Sequence, residues 1–213
     1  MSNDELRVAI SLRLCCQIPI FRDSCAVCSK NLNNASHGLS CKFGGDLIGR
    51  HNAGRDLIFS IGTSTGLKCE LEKGNFIGIS NSKRREADVL IHNFSSSGHE
   101  AVDFCCFNPE QEKFRLKSDA ANFYAQSIKY DKFGSQFENT GINYTAVAME
   151  TTGGFNDDGY RFLKKLFSLA AKRNSITCSY YISICWQRLS VKIQKAISRM
   201  VLKRIGHPHD WVD

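Results

Sequence analysis

Three cysteines and a histidine stand in the order Cys25-x2-Cys28-x8-His37-x3-Cys41. Zinc takes thiolate and imidazole ligands tetrahedrally, and a CxxC pair lets two sulfurs approach one ion from a single tight turn. The spacing reads as a Cys3His set, with Cys25 and Cys28 on the turn and His37 and Cys41 closing the site from a second loop. A complete set has no open position, so the zinc it predicts is structural and holds a segment with little core of its own. Chance competes with this reading, because ten cysteines in 213 residues make CxxC pairs easy to find. The His-x3-Cys partner close by counts against chance.

A second group consists of acids. Asp88 lies in the apolar run Ala87–Ile91 and Asp103 in the run Ala101–Phe107. An acid buried in such a run needs a cation, a hydrogen-bonding partner or an exposed face. The Ser/Gly stretch 95–98 would join the two runs as a hairpin and set the acids side by side. Two convergent carboxylates suit Mg2+ or Mn2+, which prefer hard oxygen ligands and both activate water and neutralise charge on a phosphate. The plainer alternative is that one or both acids face solvent from an alternating strand. Arg50-His51-Asn52 falls where a helix is predicted to begin. There Arg50 could hold a phosphate beside the free N–H groups, and His51 could orient water or touch the phosphate.

The elements that must position these groups follow from periodicity. Helices are predicted over 3–15 (capped by Ser2 or Asn3), 50–64, 116–132, 157–173 and 180–205, from apolar residues at helical spacing. Strands are predicted over 67–71, 87–91, 101–107 and 144–149, and a polar turn region over 74–85. The region 24–46 reads as loop, closed by Gly44-Gly45. The order favours an α/β fold, a mixed central sheet flanked by helices. Three segments are expected: an N-terminal helix and knuckle (1–46), a core (47–173), and a C-terminal helix and tail (174–213).

Composition narrows the partners. An apolar share of 42% and a mean hydropathy of -0.27 suit a folded soluble chain rather than a disordered one. The formal charge of +7 and pI of about 8.9 favour a polyanionic partner. The N-terminus is polar and acidic, and no apolar stretch approaches membrane-spanning length, so a nuclear or cytoplasmic location with reduced cysteines is expected, and no membrane. The cysteines outside the knuckle (Cys15, Cys16, Cys69, Cys105, Cys106, Cys178 and Cys185) are expected as small buried hydrophobes. On the last helix, Ile182, Trp186, Leu189, Ile193, Ile197 and Met200 form an apolar stripe. Arg188, Lys192, Lys195, Arg199 and Lys203 flank it, and such a row along about 23 Å of helix could follow a phosphate backbone. A solvated face is the equal alternative. The tail His207-Pro208-His209-Asp210-Trp211 offers no convincing ligand set.

Taken in order, these residues resemble the C-terminal part of non-LTR retrotransposon proteins that carry a restriction-like endonuclease of the PD-(D/E)xK fold. The likeness lies in a CCHC knuckle (Cys25, Cys28, His37, Cys41), an R/K-H-N/D tripeptide (Arg50, His51, Asn52), paired acids (Asp88, Asp103) and a following Lys-Tyr (Lys129-Tyr130), and spans roughly residues 20–170. It implies a metal-dependent DNA endonuclease that nicks a target site, with DNA and possibly element RNA as partners. Asp88 and Asp103 would bind Mg2+ or Mn2+, Glu72 would be an additional ligand, and Lys129 would stabilise the transition state. Ala87 replaces the family's proline, and Cys105 stands where the wider superfamily has lysine, so the cationic role rests on Lys129. The chain lacks a polymerase and reads as a remnant or piece of a longer element protein, active or not. The runner-up is a non-catalytic, zinc-stabilised nucleic-acid-binding module. A third reading is a protein-interaction domain with incidental cysteines.

Overall fold

The computed structural model describes residues 1–20, 22–32, 36–72, 74, 87–96 and 98–205. The tail histidines and, apart from Gly74, the predicted polar turn region over 74–85 lie outside the described residues.

The first helix, α1 (Asn3–Arg13), opens with a capping box. Ser2 Oγ accepts the Glu5 N–H while the Glu5 carboxylate accepts the Ser2 N–H, which satisfies two of the helix's orphan donors. A single turn, α2 (His37–Ser40), stands where a loop was expected. The long α3 (Asp46–Ser64) starts four residues earlier than its apolar period suggests. Gly44 and Gly45 take left-handed φ values of 85° and 74°, which end the loop, and Asp46 then supplies the acid that a helix N-terminus favours. Arg50 and His51 therefore lie in the second turn rather than at free N–H groups.

Four strands follow: β1 (Cys69–Leu71), β2 (Val89–Ser95), β3 (Gly98–Phe107) and β4 (Ile142–Glu150), in the sheet order β1-β2-β3-β4. The first three are antiparallel and β3–β4 is parallel, so the sheet is mixed. The crossover from β3 to β4 runs through α4 (Glu112–Arg115), α5 (Ala120–Tyr124), a π-helical turn (Ala125–Tyr130), α6 (Asp131–Phe133) and a 3-10 turn (Gly134–Phe137). The expected helix over 116–132 thus starts four residues late, at Ala120, and runs on to Phe133 with a π-helical turn inside it. Asp119 caps α5 by accepting the Asn122 N–H at 3.0 Å, and Leu116, expected on its apolar face, is 87% exposed. The last helices are α7 (Asp157–Arg173) and α8 (Cys178–Ile205).

Alternation sorts the strands into two faces. Val89, Ile91, Val102, Phe104, Val147 and Met149 join the core formed with α3, α7 and α8. Leu90, Ala101, Cys105, Phe107, Ala146 and Ala148 pack under the crossover helices. Helices on both sides explain why β3 and β4 read as near-continuous apolar runs. The larger core also takes in Val8, Cys25, Cys41 and Ile197, so the three expected segments share one interior. Along α8 the predicted stripe holds: Leu189, Ile193, Ile197 and Met200 are buried. Of the other cysteines, Cys105 and Cys185 are buried, but Cys15 and Cys16 are exposed, because they follow the end of α1. Among the described residues no helix is long and apolar enough to cross a membrane.

Candidate functional site

The knuckle forms from two local structures. Residues 23–32 turn back on themselves, with Leu32 N donating to Asp23 O and Cys25 N to Lys30 O, both at 2.8 Å, and this turn presents Cys25 and Cys28. The single turn of α2 then brings His37 and Cys41 to one side, four residues apart. The ligand atoms of Cys25, Cys28, His37 and Cys41 all lie within 4.8 Å of one another. Around a tetrahedral zinc with Zn–S of ~2.3 Å, sulfurs would stand about 3.8 Å apart. Cys28 Sγ lies 3.3 Å from His37 Nε2, close to that geometry. The four side chains can hold a metal ion, and a Cys3His donor set suits zinc. It is the one such group among the described residues.

Arg204 of α8, wholly buried, braces the knuckle, a role sequence reasoning missed. Its guanidinium donates to Met200 O at 2.7 Å, Phe43 O at 2.7 Å and Asp46 Oδ2 at 2.9 Å. It also lies against Cys41. Burial opposes ionisation of that thiol, but the guanidinium outweighs burial and draws the thiol below its ordinary range.

The second centre lies where β2 and β3 part. Val89 pairs with Val102, and Asp88 N donates to Val102 O at 3.0 Å, so Asp88 and Asp103 occupy the next rung. Asp88 Oδ2 accepts the Phe104 N–H at 2.7 Å, a ladder donor that β2 no longer meets with backbone. Its Oδ1 lies 3.1 Å from His51 Nε2. Gly54 lets α3 come this near: a Cβ there would sit 2.1 Å from the Phe104 ring.

Asp103 belongs to the crossover side. Lys129 Nζ donates to both its oxygens, at 2.9 and 2.8 Å, and Tyr144 O–H donates to Oδ2 at 3.0 Å. Lys129 comes from the π-helical turn, a wider turn that often marks functional sites. The small buried residues Ala121 and Ala125 let that helix lie against the sheet.

The carboxylates act on each other. Burial pushes Asp103 above the ordinary range, the Lys129 ammonium pulls it down, and the Asp88 charge adds to the rise. Burial works against Asp88 too, but His51 and the Phe104 N–H outweigh it and hold its carboxyl low. His51 is raised because the Asp88 hydrogen bond and charge overcome its burial. Lys129 is raised for the same kind of reason by Asp103.

The structure therefore brings together His51, Asp88, Asp103 and Lys129. Tyr144 was missed, since a strand tyrosine carries no signal of its own. Glu72 takes a different place: its N–H donates to Asp88 O at 2.8 Å, while its carboxylate is tied to Arg55. Arg50 is 4% exposed and donates to Leu39 O at 3.0 Å and Cys106 O at 2.8 Å, so it ties the knuckle to β3 instead of reaching out from a helix start. Asn52 is half-buried on α3. On α8, Arg188 and Lys192 are exposed and Lys195 is half-buried. Arg199 is engaged with Glu5 at 2.5 Å and Lys203 with Asp46 at 3.2 Å, so the basic row is not uniformly available.

No protein-family model matches the chain. No curated protein matches it at a significant level.

Proposed function

We propose that the chain is a restriction-endonuclease-like domain of retrotransposon type that nicks DNA by metal-dependent phosphodiester hydrolysis. The observation that carries this reading is the meeting of Asp88, Asp103 and the Lys129 ammonium where β2 begins beside the middle of β3. Mg2+ usually binds through one or two carboxylates and keeps several waters, so an adjacent pair of acids fits it or Mn2+ without a third protein ligand. Asp88 and Asp103 would hold that ion, which when bound lowers the pKa of water and neutralises phosphate charge. The residues do the rest. Lys129, held by Asp103, places a cation where negative charge would grow on the oxygens of the pentacoordinate phosphorus. Its Nζ supplies what a lysine at position 105 supplies in the wider superfamily. Tyr144 fixes the Asp103 carboxylate, and His51 fixes Asp88 while presenting its ring beside the reacting group. The basic charge of the chain favours a polyanionic substrate.

One observation favours a non-catalytic, zinc-stabilised nucleic-acid-binding module instead. Lys129 and Tyr144 already engage both Asp103 oxygens, which leaves that carboxylate few lone pairs for an ion. Supercoiled plasmid in Mg2+ or Mn2+ separates the two readings. The nuclease is expected to convert it to open circle, and Asp103→Asn to abolish nicking while leaving DNA affinity within about twofold. Salt-dependent DNA binding without nicking by the wild-type chain would overturn the enzyme and leave the binding module.

A further inference from the structure

We infer that the seam between the knuckle and the sheet contains an anion pocket whose ligand is a phosphate of a nucleic-acid backbone. This deepens the reading above and rests on it for the identity of the ligand. A cavity of about 450 Å³ opens there, lined by Lys42, Arg50, Gln111, Lys113, Phe107 and Tyr124 among others. Three of its lining residues are cationic and none is acidic. By contrast, the cavity at Glu100 and Asp158 carries both signs, through Arg161 and Lys165.

Arg50 is the decisive group. It is more than nine-tenths buried, and its terminal nitrogens meet only the carbonyls of Leu39 and Cys106. Its Nε is buried without a hydrogen-bond partner, and the partners of its terminal nitrogens among the described residues are carbonyls, not carboxylates. Neutral carbonyls orient a guanidinium without cancelling its charge, and a buried, unpaired charge is costly. The guanidinium lines the cavity, and a phosphate there would bring the missing negative charge within reach of its terminal nitrogens. Lys42 and Lys113 are exposed and add two cations at the solvent side of the same cavity. Cys106, which holds Arg50, lies three residues along β3 from Asp103, about 10 Å at the rise of a strand. A single nucleic-acid strand can reach both places.

Because Arg50 also ties the fold together, the test uses the exposed lysines. The affinity of the wild-type chain and of a Lys42→Gln, Lys113→Gln double variant for a duplex oligonucleotide is measured between 50 and 300 mM salt. The slope of log K against log salt is expected to become shallower by about one to two in the variant. Inorganic phosphate at constant ionic strength is expected to raise the melting temperature of the wild type and not of the variant. An unchanged slope overturns the inference. If phosphate still stabilises the wild type in that case, the pocket takes a free anion and not nucleic acid. Loss of the nuclease reading is scored separately, as absent plasmid nicking with the change in slope intact.

Discussion

Replacing Lys129 with methionine tests the acid centre most directly. Methionine keeps most of the stem's volume and removes the charge, which leaves Asp103 facing Asp88 with Tyr144 as its remaining side-chain donor. Removing one partner of a buried ion pair costs about 3–5 kcal/mol. The side chains here keep 16% and 17% exposure, which puts the cost at the low end, about 3 kcal/mol. With a urea m-value of about 2–3 kcal/mol/M, the unfolding midpoint should fall by about 1 M. Urea titration followed by tryptophan fluorescence measures it, since Trp186 stacks on Tyr160 at 5.2 Å in the folded protein. Two controls isolate the cause. Adding Asp103→Asn to Lys129→Met should recover part of the loss, because the pair is coupled and its sites are not additive. Millimolar Mg2+ should also recover part of it, by replacing the lost cation. A midpoint shift below about 0.3 M, or a double variant as unstable as the sum of the singles, would refute the argument that Lys129 neutralises a shared acid site.

Other outcomes follow from the same contacts. Purified protein should carry one zinc per chain by elemental analysis, and Cys28→Ser should bring this below one and lower the melting temperature. Arg204→Gln removes a neighbour of Cys41 without touching the ligands, and should weaken zinc about 10–100-fold in competition with a chelator. Gly54→Ala drives a methyl into the Phe104 ring and should cost about 1–3 kcal/mol of unfolding free energy, with Phe104→Leu restoring part of it. Burial works against the Glu5 charge, but Arg199 and the Ser2 N–H outweigh it and hold its pKa below the ordinary 4.5. A lowered pKa means the contribution of Glu5 is complete above 4.5 and lost as pH falls through the lower folded value. The stability gap between wild type and Glu5→Gln should therefore be constant near neutrality and close in that acid window.

What the sequence determined by itself is local. The Cys25, Cys28, His37 and Cys41 spacing works because a tight turn and one helical turn suffice to gather ligands so near in the chain. A cap at Ser2, one of the two residues offered, and the extent of α7 were legible for the same reason: caps and period 3.6 act over a few residues. The apolar runs around Asp88 and Asp103 placed both acids on one hairpin, although only Asp103 lies within a strand and Asp88 falls one residue before β2. The tertiary structure decided everything that depends on distant partners. Lys129 reaches Asp103 because the crossover helix widens into a π-turn and lies against the sheet, which no helical period reveals. Arg50 is drawn inward because carbonyls on the knuckle and on β3 face it from either side. Leu116 stays outside because Asp119 caps the next helix. Arg204 lies more than 150 residues from Phe43 and Asp46 in the chain, and only packing of α8 against the knuckle could set them together. A charged side chain's role is fixed by what surrounds it once buried, and that environment is assembled from the whole chain.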